Sequence, residues 1–151
     1  MSISTIDSFS GEHEFLSNFS PHSVMFLGEI WKTSEHAYQA AKTDDPLWKQ
    51  KIMDSPTPGK AKRLGSKCPL IKGWDECKYW VMVGIITAKF QSQNMSNMLV
   101  KTDPFELIEG NNWGDIYWGK VDGKGENNLG KILMGVRELH IEDRKNWVVP
   151  M

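Results

Sequence analysis

A stripe of polar side chains on a predicted helix is the first candidate for chemistry. Glu35, Gln39 and Lys42 stand at positions i, i+4 and i+7, which places them on one side of an α-helix. Glu35 lies in the first helical turn, where the helix dipole favours a charged carboxylate. Such a stripe is usually a solvated helix face, but the flanking aromatic residues Trp31 and Tyr38 are typical of a pocket wall. The spacing leaves both interpretations open.

Asp115 is a second candidate acid. It lies in an aromatic segment between Trp113 and Trp118. An acid at such a position often forms a turn, and the sequence gives this interpretation about equal weight. The functional interpretation pairs Asp115 with Glu35, because two carboxylates around a sugar C1 suit a transition state that resembles an oxocarbenium ion.

Two further residues could act beside these acids. Lys89 lies in a run of residues predicted to be buried, whereas lysines on helices are usually solvated. His36 is adjacent to Glu35 and is expected to line the same site. The other histidines and the two cysteines lack the spacing of metal ligands, so no metal is expected.

Two segments could contact phosphate. A glycine-rich loop at residues 123–130 leads into a helix, where backbone N–H groups can bind an anion, although such loops are common and this one is not a Walker loop. A short helix carries Lys60, Lys62 and Arg63. Because the formal net charge of the chain is -1, any phosphate binding must come from a local patch of this kind.

The elements that would position these residues follow from periodicity and capping signals. Helices are predicted from Thr33 to about Lys42, from Leu47 to Ser55, from Thr57 to Gly65, from about Asp75 to Gln91, after Asn94, and after Gly130 to at least Leu139. Strands are predicted in a hairpin that turns near Gly28 and at residues 105–109 and 116–118. The sequence therefore predicts one α+β domain over residues 1–151, mainly helical around a small sheet, with the tail from Ile141 unassigned.

Composition is that of an ordinary globular protein, with 40% hydrophobic and 25% charged residues. The N-terminus lacks the basic and apolar blocks of a signal peptide. The longest apolar stretch, near residues 80–88, is too short to span a bilayer. Cytoplasmic residence and no membrane partner are therefore expected.

These motifs, in this order, resemble the NADAR family, which includes the YbiA-like proteins. Phe-Leu-Ser-Asn-Phe at residues 15–19 is similar to the family's opening motif, and residues 31–42 resemble its Ser-Glu-His-Tyr-x-Gln-Ala-x-Lys signature. The later matches are Trp74, residues 88–90, residues 115–119, the loop at 123–130, residues 132–134 and Arg137. The resemblance covers about residues 15–139, with Ala37 in place of a tyrosine and Ser66 in place of an arginine.

The resemblance implies a YbiA-like α+β fold and hydrolysis of a bond between ribose C1 and nitrogen, without a cofactor or metal. Glu35 would stabilise the cation or activate water, Asp115 would orient water or a ribose hydroxyl, and Lys89 would contact the ribose or keep Glu35 ionised. Trp74 is expected to lean into a cleft and stack on the base, helped by Trp113 or Trp118. The expected substrate contacts are Asn18, His36, Gln39, Arg63, Trp74, Trp113, Trp118, Gly125 and Asn127.

Two substrate classes are associated with the family. ADP-ribose attached to guanine, in DNA or in a nucleotide, ranks first because the basic segment with Lys60, Lys62 and Arg63 could contact a phosphate backbone. The phosphoribosylamino pyrimidine intermediates of riboflavin synthesis are the alternative. A module that binds ADP-ribose or a nucleotide without turnover is the alternative of another class.

Overall fold

Helices make up most of the regular structure in the computed structural model, which describes residues 4–146. In chain order the helices are α1 (Ser34–Ala41), α2 (Pro46–Asp54), α3 (Pro58–Gly65), α4 (Trp74–Lys89), α5 (Gln93–Val100) and α6 (Asn128–Asn146), after a 3-10 helix at Gly11–Leu16. The strands are β1 (Thr5–Ile6), β2 (Val24–Phe26), β3 (Glu29–Trp31) and β4 (Glu106–Leu107). The predicted mainly helical α+β class is confirmed. Among the described residues, no helix is long and apolar enough to cross a membrane.

The chain divides into two compact units. The central unit is residues 17–89, and the terminal unit combines residues 4–16 with residues 90–146. Each unit has buried apolar residues of its own, such as Ile52 and Ile85 in the central unit and Leu99 and Leu133 in the terminal unit. The predictions of one domain and of cytoplasmic residence stay predictions.

The central unit is built around α1, which contacts α2, α3, α4 and the β2–β3 hairpin. Strands β2 and β3 are antiparallel, with Val24 opposite Trp31. The hairpin turns at Leu27 and Gly28, both at positive φ, as the sequence predicts. Trp31 closes this turn because its indole Nε1 donates to the carbonyl oxygen of Phe26 at 3.1 Å.

Capping residues set where the helices of the central unit begin. Thr33 caps α1, and its hydroxyl accepts from the backbone N–H of His36 at 3.1 Å. Thr57 caps α3, with Pro58 as its first residue, as predicted. Helix α2 begins at Pro46, one residue before the predicted start at Leu47, because proline at the first helical position loses no hydrogen bond.

The terminal unit pairs β1 with β4 in parallel and packs α6 against β4 and α5. Helix α5 is capped by Ser92, whereas the sequence predicted Asn94 as the cap. Helix α6 extends to Asn146, so the first part of the unassigned tail is helical, while residues 147–151 lie outside the described part of the chain. In place of one small sheet, residues 4–146 contain two separate two-stranded sheets.

The prediction of a strand at residues 116–118 is wrong. This segment forms irregular structure, because Asp115 makes a turn and the following carbonyl groups bond to the chain that enters α6. The predicted strand at residues 105–109 is reduced to the two residues of β4.

Candidate active site

The carboxylate of Glu35 is buried in the central unit, with 7% of the residue exposed. Its backbone N–H donates to the carbonyl oxygen of Asn18 at 3.1 Å. On the next turn of α1, Nε2 of Gln39 donates to Oε1 of Glu35 at 2.7 Å. The interpretation of a solvated helix face is therefore wrong for Glu35 and Gln39, and both residues form part of a buried polar site.

Gly65, at the end of α3, makes room for Gln39. A Cβ atom at position 65 would overlap the amide oxygen of Gln39, so only glycine leaves this side chain where it lies. Gly65 is helical, which means that its role is to leave space rather than to allow an unusual backbone angle. The contact between α1 and α3 thus fixes the group that binds Glu35.

Several buried polar atoms beside Glu35 accept no hydrogen bond. Nδ2 of Asn18 donates weakly to the sulfur of Met82 at 3.5 Å, while its Oδ1 has no donor within the described chain. The same holds for Oε1 of Gln39, and the hydroxyl of Ser34 likewise has no hydrogen-bond partner there. Buried acceptors without donors are costly and rare, so these oxygens are suited to accept from ligand hydroxyls.

Lys42, the third residue of the polar stripe, lies within electrostatic reach of Glu35 and of two other lysines. Burial lowers the pKa of Lys42, the carboxylate of Glu35 acts in the opposite direction, and Lys62 and Lys78 lower it further. The Nζ of Lys42 lies 5.5 Å from the centre of the Tyr38 ring. Sequence reasoning placed Lys42 on the polar stripe but not in the site, because spacing alone does not show that Lys62 and Lys78 come near it.

Lys89, the last residue of α4, is buried with 4% exposed, as its position predicted. Its Nζ donates to the carbonyl oxygen of Ser17 at 2.8 Å, and burial lowers its pKa to about 7. Ser17 precedes Asn18, whose carbonyl oxygen binds the backbone of Glu35. Consecutive residues thus anchor Lys89 and the start of α1, and the roles predicted for Lys89 toward ribose and Glu35 stay predictions.

Trp74 begins α4 and is buried with 6% exposed. Its ring centre lies 5.4 Å from that of Tyr38, at a tilt of 53°. The expectation that this ring leans into a cleft is therefore wrong, because the ring is buried and Tyr38 packs against it. Stacking of Trp74 on a substrate base stays a prediction.

His36 is fully buried and both of its ring nitrogens are engaged. Its Nε2 donates to the carbonyl oxygen of Ser55 at 3.0 Å, and the hydroxyl of Thr33 donates to Nδ1 at 2.8 Å. Burial lowers the pKa of His36, which suits this neutral form. The structure gives His36 the role of joining α1 to the end of α2, and its predicted substrate contact stays a prediction.

Asp115, in the terminal unit, forms a turn, as one of its two interpretations predicted. Its Oδ1 accepts from the backbone N–H groups of Tyr117 at 3.1 Å and Trp118 at 2.9 Å. The rings of Tyr117 and Trp118 pack edge to face, while Trp113 is exposed. The functional pairing of Asp115 with Glu35 and the base contacts of the two tryptophans stay predictions.

The glycine-rich loop directs its last backbone N–H groups to its own chain. Those of Asn128 and Leu129, at the start of α6, donate to the carbonyl oxygens of Tyr117 and Trp118 at 3.1 and 2.9 Å. A Cβ on Gly125 would overlap the carbonyl oxygen of Gly119. The expectation that this helix start presents its N–H groups to phosphate is therefore wrong at those two positions.

Asn127 holds the same loop to β4. Its Oδ1 accepts from the backbone N–H of Glu109 at 2.9 Å, and its Nδ2 donates to the carbonyl oxygen of Leu107 at 3.0 Å. Both ends of the amide are thus engaged, which gives Asn127 a structural role beside its predicted ribose contact.

Arg63, another predicted contact, is exposed on α3 and lines a cleft of about 460 Å³ between α2 and α3.

Comparisons with known proteins define the class. The model of the NADAR domain matches residues 7–139. N-glycosidase YbiA of Escherichia coli strain K12 is 38% identical over 136 residues, which cover 87% of this chain and 84% of that protein. The NMR structure of E. coli YbiA superposes with a TM-score of 0.84 at 33% identity, covering 99% of this chain and 92% of the other.

A riboflavin biosynthesis protein of Vibrio vulnificus is also 38% identical, over 83% of this chain, but the match covers only 35% of that longer protein. The fold and the curated relatives define an enzyme, a hydrolase that acts on N-glycosyl bonds, rather than a module without turnover. The chain belongs to the NADAR family.

Proposed function

We propose that this N-glycosidase releases ADP-ribose from guanine, in a nucleotide or in DNA. The observation that carries the proposal is the buried carboxylate of Glu35 within electrostatic reach of Lys42, on which the ammonium groups of Lys62 and Lys78 also act. The carboxylate suits a sugar cation, and several cations together suit the two linked phosphates of ADP-ribose better than a single phosphate.

The reaction separates a base from C1 of ribose. As the C1–N bond breaks, its electron pair goes to the base nitrogen, which takes up a proton, and positive charge develops on C1 and the ring oxygen. Glu35 stabilises that charge or removes a proton from the attacking water, whose oxygen forms the new bond to C1. The bond from Gln39 holds the carboxylate in one orientation, so little reorganisation is needed as charge develops.

The polar atoms without donors supply contacts for the sugar. Oδ1 of Asn18 is a buried acceptor without a donor in the described chain, in the residue whose carbonyl oxygen binds the backbone of Glu35, and ribose hydroxyls are matching donors. Asp115 is proposed as the second acid and Lys89 as a ribose contact. The lysine cluster would bind the phosphates.

Phosphoribosylamino pyrimidines are the second candidate substrates. The observation in their favour is the similarity to the riboflavin biosynthesis protein of V. vulnificus. Such a substrate carries one phosphate, so it would use fewer of the lysines around Glu35.

Incubation of the purified protein with each candidate, followed by mass spectrometry of the released base, tests the proposal. The Glu35→Gln variant serves as the control for contaminating activity. We expect free guanine and ADP-ribose from the ADP-ribosylated substrate at a higher kcat/KM than the pyrimidine from the riboflavin intermediate. The reverse order of kcat/KM would replace the first substrate class by the second, and no release from either would refute both.

A further inference from the structure

Positive charge is concentrated in one stretch of the central unit. Residues 46–72 contain seven lysine or arginine residues and a single acid, Asp54, although the formal net charge of the chain is -1. This stretch comprises α2, α3 and the segment that leads to α4. A local excess of this size attracts polyanions even when the whole protein is slightly acidic.

Helix α3 presents basic side chains on two sides. Lys62 lies with its Nζ 6.0 Å from the centre of the Phe19 ring and lowers the pKa of Lys42, so it lies on the side of α3 that faces Lys42. Lys60 and Arg63, at spacing i and i+3, instead line the cleft between α2 and α3 together with Lys67 just beyond the helix. The charge therefore continues from the candidate active site across α3 into the cleft.

The cations of the cleft are not neutralised by the chain. In residues 4–146, no acid lies within ion-pair distance of the side chains of Lys60, Arg63 or Lys67. The acid that lines the cleft, Asp54, accepts a hydrogen bond from Nε2 of Gln50 at 3.0 Å. On the facing wall, Lys51 of α2 adds a fourth cation.

We infer that the cleft between α2 and α3 binds the phosphodiester backbone of a nucleic-acid strand. The inference rests on the proposed function in one respect: the strand would carry the guanine whose N-glycosyl bond is cleaved. A helix is about 10 Å across, and a nucleic-acid strand carries a charge about every 3.4 Å. A strand that crosses α3 therefore meets the cleft and the lysines near Lys42 with phosphates about three positions apart, whereas a small anion would occupy only one of these places.

Binding of an unmodified strand tests this inference separately from catalysis. A fluorescent 16-nucleotide single strand is titrated with the full chain at several salt concentrations, and anisotropy gives Kd. The test variant is K60Q/R63Q/K67Q. The matched control is K101Q/K131Q/K145Q, which removes the same charge from exposed positions of the terminal unit outside the glycine-rich loop. Thermal unfolding checks that both variants are folded.

For a single strand, each lost phosphate contact reduces the slope of log Kd against log salt concentration by about 0.7. We expect a slope about 2 smaller for the cleft variant, and a wild-type slope for the control. Equal slopes in both variants, no binding of the strand by wild type, or displacement of the strand by equimolar ADP would overturn the inference. Base release from a free ADP-ribosylated nucleotide by wild type tests the proposed function alone, so the failure of either proposal is recognised separately.

Discussion

Replacement of Gly65 by alanine should disturb Glu35 although the two residues lie on different helices. The added Cβ overlaps the amide of Gln39, which is buried and must move. When it moves, the 2.7 Å hydrogen bond from Nε2 of Gln39 to Glu35 is lost. The backbone of Gly65 is helical, so alanine introduces no strain of its own there.

Three contributions set the size of the effect. Overpacking of a well-packed site costs about 1–3 kcal/mol. Loss of a hydrogen bond to a charged group costs about 1.5–3 kcal/mol, while alanine in place of glycine in a helix returns about 1 kcal/mol. We therefore expect Gly65→Ala to lower the free energy of unfolding by about 1.5–5 kcal/mol. Catalysis should fall by about 10²-fold, the scale of a displaced catalytic group.

Urea unfolding and steady-state kinetics of four variants measure this effect. Gly59→Ala is the matched control, because Gly59 lies in the same helix and a Cβ there meets nothing within 4 Å. It should be as stable as wild type or more so. In the Gln39→Ala background the clash with the amide is gone, and only a tight contact of 3.0 Å to Cβ of residue 39 remains. The cost of Gly65→Ala should then shrink by at least about 1 kcal/mol. The same cost in both backgrounds, or no difference between Gly65→Ala and Gly59→Ala, would refute the reasoning.

The remaining predictions concern three buried side chains. Glu35→Gln should keep the fold, as measured by thermal unfolding. It should lower kcat by about 10²–10⁴-fold, because it removes the charge that faces the sugar cation. Turnover close to that of wild type would show that Glu35 takes no part in the mechanism. Trp74→Ala should lower the free energy of unfolding, measured in urea, by about 3–5 kcal/mol, because the ring is buried against Tyr38. A loss of substrate affinity without a loss of stability would instead support a ring that leans into the substrate cleft. Burial lowers the pKa of Lys89 to about 7, so between pH 7 and 10 the unfolded chain binds more protons than the folded one. The free energy of unfolding of wild type should therefore rise with pH in this range relative to that of Lys89→Met. If urea unfolding gives a difference between the two proteins that does not change with pH, the pKa of Lys89 is not depressed.

The parts of the fold that the sequence predicted are those set by neighbours along the chain. Thr33 and the pair Thr57–Pro58 are capping signals whose chemistry acts over three or four residues, and both helices begin where those signals stand. The hairpin turn at Gly28 is local in the same sense. The predicted strand at residues 116–118 failed because Asp115 bonds to the backbone of the next residues, and an alternating pattern does not record that competition.

The candidate site was predicted in its residues but not in its arrangement. The spacing of Glu35 and Gln39 gives one helix face, but whether that face is buried depends on Gly65 and Asn18, which are distant in sequence. The lysines show the same limit, since Lys42 caps the end of α1 while Lys62 lies on α3, and they come near each other only through the packing of α1 on α3. Contacts of this kind come from tertiary structure, which local patterns do not contain.

The loop before α6 has a base held by hydrogen bonds and an exposed tip. Successive hydrogen bonds join residues 116–119 to residues 126–129, and the backbones of Val121 and Lys124 bond to each other across Asp122 and Gly123, both at positive φ. Those two residues are exposed, and a Cβ on Gly123 meets nothing within 4 Å. For protein engineering, this tip is a point where a peptide tag or a fluorescent label can be inserted, since the bonds at the base would still hold the start of α6 in place.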